Sequence, residues 1–208
     1  MHSRRISEVT QPLPGQLRLR PGCLVVLEGL DGAGKTTQSR ELKALFGTPP
    51  VPLFTHQPSG AGILGEMVHR FSNENPGLVP LAMQLLHLAS HAQHYETEIL
   101  PALDRSAVVM DRCWWSTVAY GYFGGGLADV MQPEDFERLA LLPARGRQPD
   151  LVFVLPAANR LDSEKVLAGY DWLLARHAST SVAVPLLPIE KTTQFIVRVL
   201  LETQLAEQ

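Results

Sequence analysis

Five short apolar runs set the rhythm of the chain: CLVVLEG (23–29), VPLFT (51–55), AVVMD (107–111), DLVFVL (150–155) and SVAVP (181–185). They are continuous and do not alternate with polar residues, which is the pattern of strands covered on both faces of a parallel sheet. The stretches between them carry helical spacing. Residues 35–46 place Leu42, Leu45 and Phe46 on one face. Residues 62–72 read as a second helix, and 79–104 form the longest helical pattern. A further helix starts at 113–122 and is stopped by the glycines at 124–126. Residues 133–142 open on Pro133, a residue suited to a helix start, and 187–206 close the chain with a helix. Strands alternating with helices predict an α/β fold of three layers, with a five-stranded parallel sheet, helices on both faces and right-handed crossovers. Residues 1–21 are polar and contain Pro and Gly, so they read as a flexible leader before one domain, 22–208.

A length of 208 residues fits one domain with its own core. With 45% apolar and 19% charged residues the composition is that of an ordinary globular protein. The net charge of -3 carries no global signal for nucleic acid or membrane. Locally, Arg4, Arg5, Arg18 and Arg20 face only Glu8 in the leader, which is either a basic arm for phosphates or a solvated segment. Cys23 and Cys113 are too few and too far apart for a disulfide framework, and both adjoin apolar runs as small core residues of a reducing compartment. No run approaches the roughly 20 apolar residues of a membrane span, and no apolar stretch follows the early arginines as in a signal peptide. The expected location is the cytoplasm.

Chemistry enters at Gly29-Leu30-Asp31-Gly32-Ala33-Gly34-Lys35-Thr36, which has the full Walker A spacing and lies between a buried strand and a helix. Glycines let backbone N–H groups wrap phosphates, and the helix N-terminus adds partial positive charge. Lys35 is expected to reach the β- and γ-phosphates of ATP, Thr37 to follow in the cradle, and the Thr36 hydroxyl to ligate Mg²⁺. A second buried strand ends in Asp111, the pattern of a Walker B carboxylate holding the same ion. A GTPase is disfavoured because no NKxD-type guanine motif occurs, and the chain is short for a motor domain. A small ATP-dependent kinase remains.

VLEGLDGAGKTTQ (26–38), AQHYETEILPAL (92–103) and DRCWWSTVAYGYFGGG (111–126), with PDLVFVL (149–155) and LPIEKTTQFI (187–196), resemble the thymidylate kinase family. The resemblance implies an acceptor-side carboxylate at Asp31, near the sugar 3′-hydroxyl, and a phosphate-clamping arginine at Arg112. A guanidinium fork suits that task because it meets two phosphate oxygens at once. It also implies an acceptor pocket lined by Ser116, Thr117 and Tyr120, positions that core packing would explain equally well. The departures fall on the acceptor side. Where the family has Thr-Arg-Glu-Pro, this chain has Thr55-His56-Gln57-Pro58, so Gln57 joins the acceptor set without a charge. His87 and His91 replace the base-stacking aromatic and the base-contacting arginine, and His94 shares their helix face as a structural residue or as part of a metal site. Trp114-Trp115 could offer an aromatic face to a base, although neighbours on a helix point different ways. The arginine-rich lid of the family is short here, with Arg160 and Lys165 alone. Either Arg160 contacts ATP, or Arg145 and Arg147 help, or the site stays open.

Three functions fit this pattern. The first is transfer to the hydroxymethyl group of 5-hydroxymethyluracil in DNA, as in some phage relatives of the family. The short lid, the basic arm and the aromatic faces point there. The second is conventional phosphorylation of dTMP to dTDP, whose ionised phosphate nucleophile needs no base. The third is a nucleotide-binding module without catalysis, against which the intact Lys35, Thr36, Asp111 and Arg112 argue. The resemblance also implies a homodimer through long helices such as 79–104, a pattern that equally suits a helix buried in its own core.

Overall fold

The computed structural model describes residues 15–47, 49–59, 62–74, 77–156 and 164–207. Its elements run β1 (Arg18–Leu19), β2 (Leu24–Gly29), α1 (Lys35–Lys43), β3 (Leu53–His56), α2 (Gly62–Glu74), α3 (Pro80–His94), α4 (Leu100–Leu103) and β4 (Val108–Asp111). They continue with α5 (Trp114–Ser116), α6 (Pro133–Leu141), β5 (Leu151–Leu155), α7 (Glu164–Arg176), β6 (Ser181–Ala183), α8 (Ile189–Glu202) and β7 (Ala206–Glu207). Two wider, π-helical stretches extend helices: Tyr95–Ile99 joins α3 to α4, and Thr117–Gly124 follows α5. All five anticipated strands form, and they make one parallel sheet of order β3-β4-β2-β5-β6.

The continuous apolar runs are explained by what covers them. In β2, Leu24 and Val26 face a core with Tyr95, Ile99, Trp114, Val118, Phe136 and Leu173. Val25 and Leu27 face the opposite core, formed with Leu42 of α1 and Ile196, Val197 and Leu200 of α8. α8 buries Thr192, Thr193, Ile196, Val197 and Leu200, the spacing of one helical face. Cys23 and Cys113 are buried free thiols, and burial pushes the Cys23 thiol up to about 11. No helix among the described residues is long and apolar enough to cross a membrane.

Two regions depart from the sequence reading. Part of the stretch assigned to a flexible leader is built into the fold: Leu17 is buried, and Arg18 and Leu19 pair antiparallel with Glu207 and Ala206. The basic positions Arg4 and Arg5 lie outside the described residues. The final helix therefore stops at Glu202, and the chain returns as a strand. The second departure is α7, where the sequence reading assigns no element. It buries Val166, Gly169, Tyr170 and Leu173, packing chiefly on the Thr117–Gly124 stretch.

β2 ends where the cradle starts, and the junction is tight. Gly29 has φ 135°, and a Cβ there would stand 2.4 Å from the Leu155 carbonyl oxygen of β5. Gly29→Ala combines left-handed strain with a backbone clash, so a loss of about 3 kcal/mol in unfolding free energy is expected. Chemical denaturation reads it directly, and an unchanged midpoint would contradict the geometry.

Candidate active site

The P-loop wraps the carboxyl end of β2 and enters α1 at Lys35. Gly34, with φ 87°, caps that helix without a side-chain hydrogen bond, which leaves the first backbone N–H groups facing the loop. The Lys35 ammonium is buried and donates to the carbonyls of Gly29 at 3.0 Å and Leu30 at 2.7 Å. Burial, and then the nearby Arg112 guanidinium, lower its pKa. Two cations held this close in a partly dry site suit an anion between them. The Thr36 hydroxyl donates to Asp111 Oδ2 at 2.7 Å, across from the end of the adjacent strand β4. A cavity of about 540 Å³ opens over this group, with Gly32, Gly34, Lys35, Thr36, Thr37 and Asp111 in its wall. Ala33 packs partly against the α1–α8 core.

A second chamber, of about 350 Å³, lies on the α3 side and is lined by His87, His91, Gln84, Ser116, Thr117 and Tyr120 among others. The two chambers share Asp31, Gln57, Pro58 and Arg112. Around these shared residues the two chambers gather Gly32, Gly34, Lys35, Thr36, Thr37 and Asp111 on one side and His87, His91, Ser116, Thr117 and Tyr120 on the other. Gln57 is buried, and neither atom of its amide has a hydrogen-bond partner. An orphaned buried amide costs about 1–3 kcal/mol. Gln57→Leu should therefore raise Tm by a few degrees while raising KM for the acceptor. A thermal scan beside steady-state kinetics checks both, and an unchanged KM would remove Gln57 from the site.

His87 and His91 face each other with ring centroids 6.4 Å apart. Burial, with smaller contributions from His87 and His94, pushes His91 down to about 3; burial lowers His87 as well. Both imidazoles are neutral at pH 7, so the α3 end of the chamber carries no charge from them. Because the folded pKa of His91 lies below its ordinary 6.5, the unfolded chain takes up the proton first. Stability is then expected to fall as pH drops from 6.5 toward 3, and His91→Phe should flatten that limb of a Tm-against-pH curve. His94 is structural: its Nε2 shares a 2.9 Å hydrogen bond with Thr55 Oγ1 of β3. Among the described residues no three His, Cys, Asp or Glu side chains stand together as a metal site.

Arg112 sits at φ 69°, a left-handed conformation unusual for a non-glycine residue. Its Nη2 pairs with the Asp31 carboxylate, and its Nη1 donates to Gly29 O at 3.0 Å and Ser116 Oγ at 2.8 Å. The guanidinium lies 5.2 Å from the centre of the Tyr120 ring, and the Tyr120 hydroxyl accepts the Asp31 N–H at 3.0 Å. Sequence reasoning missed the group behind this arginine. Glu28 is fully buried, and the Tyr170 hydroxyl of α7 donates to it at 2.9 Å. A carboxylate inside an otherwise apolar strand was the signal that could have found Glu28.

Other expectations fail. Trp114 and Trp115 are both about 1% exposed and pack on His177, so neither offers a face to a base. Arg147 donates to Gly22 O and Asp150, at the amino ends of β2 and β5 and away from the P-loop, and Arg145 pairs with Glu96. Neither can stand in for a lid cation. Arg160 lies outside the described residues, and Lys165 is the second residue of α7.

Comparison with known proteins agrees with this geometry. The thymidylate kinase family profile matches residues 27–168. A thymidylate kinase of Leifsonia xyli subsp. xyli is 36% identical over 166 residues, covering 76% of this chain and 76% of that protein. One from Pelotomaculum thermopropionicum is 40% identical over 150 residues, covering 70% and 67%. Among solved structures, a thymidylate kinase from Ehrlichia chaffeensis superposes with a TM-score of 0.70 at 23% identity, covering 87% of this chain and all of that one.

Proposed function

The chain belongs to the thymidylate kinase family, and from that premise we propose that this ATP-dependent phosphotransferase moves the γ-phosphoryl group of ATP onto the phosphate of a thymidylate-type nucleotide, giving a diphosphate and ADP. The observation that carries the reading is the shared wall. A phosphate cradle and a neutral, nucleotide-sized chamber meet at Asp31, Gln57 and Arg112. Transfer between two bound phosphates needs in-line positioning and charge neutralisation, and both chambers would present their reacting ends there.

In this reading Lys35 and the P-loop amides bind the β- and γ-phosphates, and Arg112 reaches both the donor and the acceptor phosphate. Thr36 and Asp111 supply two adjacent hard oxygens, a set that fits Mg²⁺ with phosphate and water completing its shell. The ion would neutralise charge on the transferring group. His87, His91, Gln57, Thr117 and Tyr120 receive the acceptor, with Asp31 toward its sugar. The nucleophile is an already ionised phosphate oxygen, so no side chain has to remove a proton.

Conventional dTMP is favoured over a base in DNA. The similar proteins are named thymidylate kinases, and the two tryptophans that might have received a flipped base are in the core. Incubation with Mg²⁺ and γ-labelled ATP, offering dTMP, 5-hydroxymethyl-dUMP and hydroxymethyluracil-containing DNA in parallel, separates the acceptors. Label in dTDP is the expected result. Label confined to DNA would replace this reading with the DNA one.

A further inference from the structure

The structure assigns Tyr170, on a helix outside both chambers, a positioning role: with Ser116 and the buried Glu28 it fixes the guanidinium of Arg112 in the geometry needed for transfer. This inference rests on the role proposed above for Arg112. The argument begins with Glu28, which receives four hydrogen bonds. Its Oε1 accepts the backbone N–H groups of Cys113 at 2.7 Å and Ser116 at 3.1 Å. Those amides lie in the turn directly after Arg112, so the carboxylate anchors the backbone that holds Arg112 in its left-handed conformation. Its Oε2 accepts the hydroxyls of Ser116 at 2.6 Å and Tyr170 at 2.9 Å.

The direction of those two hydroxyls decides the rest. Each has one proton. The charged carboxylate is a stronger acceptor than the Gly29 carbonyl 3.2 Å from the Tyr170 oxygen or the second hydroxyl at 3.0 Å, so both protons go to Glu28 and the oxygen lone pairs are left for incoming donors. Arg112 Nη1 lies 2.8 Å from Ser116 Oγ and 3.4 Å from the Tyr170 oxygen, and it also donates to Gly29 O. One end of the guanidinium is thereby held by acceptors, while Nη2 points to Asp31 at the wall between the chambers. A planar fork needs its plane set as well as its charge placed, and a side chain ordered before the reaction loses less in reorganisation. Tyr170 itself is buried and lines neither chamber, so its hydroxyl acts through Arg112.

The test is a double-mutant cycle of Tyr170→Phe with Arg112→Ala, run on dTMP and, in parallel, on the slow hydrolysis of ATP to water. Tyr170→Phe alone is expected to lower kcat about tenfold with both KM values within about twofold of the parent. In the Arg112→Ala background the same change should have no further effect. The inference is overturned if kcat survives intact in Tyr170→Phe, or if the tenfold loss recurs without Arg112. Should Tyr170→Phe not fold, Ser116→Ala removes the other hydroxyl and completes the same cycle. Absence of dTDP with intact ATP hydrolysis would defeat the dTMP reading alone, and the hydrolysis arm would still decide the role of Tyr170.

Discussion

Replacing Lys35 with alanine is expected to lower kcat by at least about 10³-fold while the protein stays folded. The scale follows from removing a preorganised charge at the transferring phosphate. The structure adds a reason why stability should survive. Lys35 is a buried cation whose pKa is lowered by burial and by Arg112, so its removal relieves desolvation and repulsion. Against this, the Gly29 and Leu30 carbonyls lose their donor. These effects oppose each other, and Tm should move by a few degrees at most. Single-turnover transfer beside a thermal scan reads both. A variant keeping a tenth of the parental kcat would mean that the triphosphate is gripped elsewhere.

Arg112→Ala is expected to cost a comparable factor, about 10³ in kcat, since arginines at phosphoryl-transfer sites contribute on that scale. Unlike Lys35, Arg112 borders both chambers, so KM for the acceptor should rise as well. Arg112→Lys keeps the charge and loses the fork, and it should fall between the parent and the alanine variant. Holding a non-glycine residue at φ 69° costs about 1–2 kcal/mol, which Glu28 offsets through the following turn. Equal kcat values for the lysine variant and the parent would show that charge alone is used.

The sheet was legible because a strand buried on both faces leaves a continuous apolar run, and two of the runs end in a marked residue, Gly29 and Asp111. The phosphate cradle was legible because its glycines, lysine and threonine have fixed spacing. What could not be read had weaker local marks. α7 starts with Glu164 and Lys165, and only Val166, Gly169, Tyr170 and Leu173 form its buried stripe. Without that helix, nothing in the sequence connects Tyr170 to Glu28, a pair separated by 142 positions. The pairing of β1 with β7 rests on two residues per strand, too short for any periodicity. Trp114 and Trp115 misled because aromatic character alone does not distinguish a stacking surface from a core.

That small antiparallel pair carries a kinetic consequence. Arg18 meets Glu207 across almost the whole length of the chain, whereas every strand pair of the parallel sheet joins positions closer in sequence. Closing so long a loop yields little until the intervening layers have condensed and brought its ends together. The β1–β7 clasp should therefore form last during refolding and be the first to open in native-state hydrogen exchange, leaving the phosphate cradle at the other end of the sheet undisturbed.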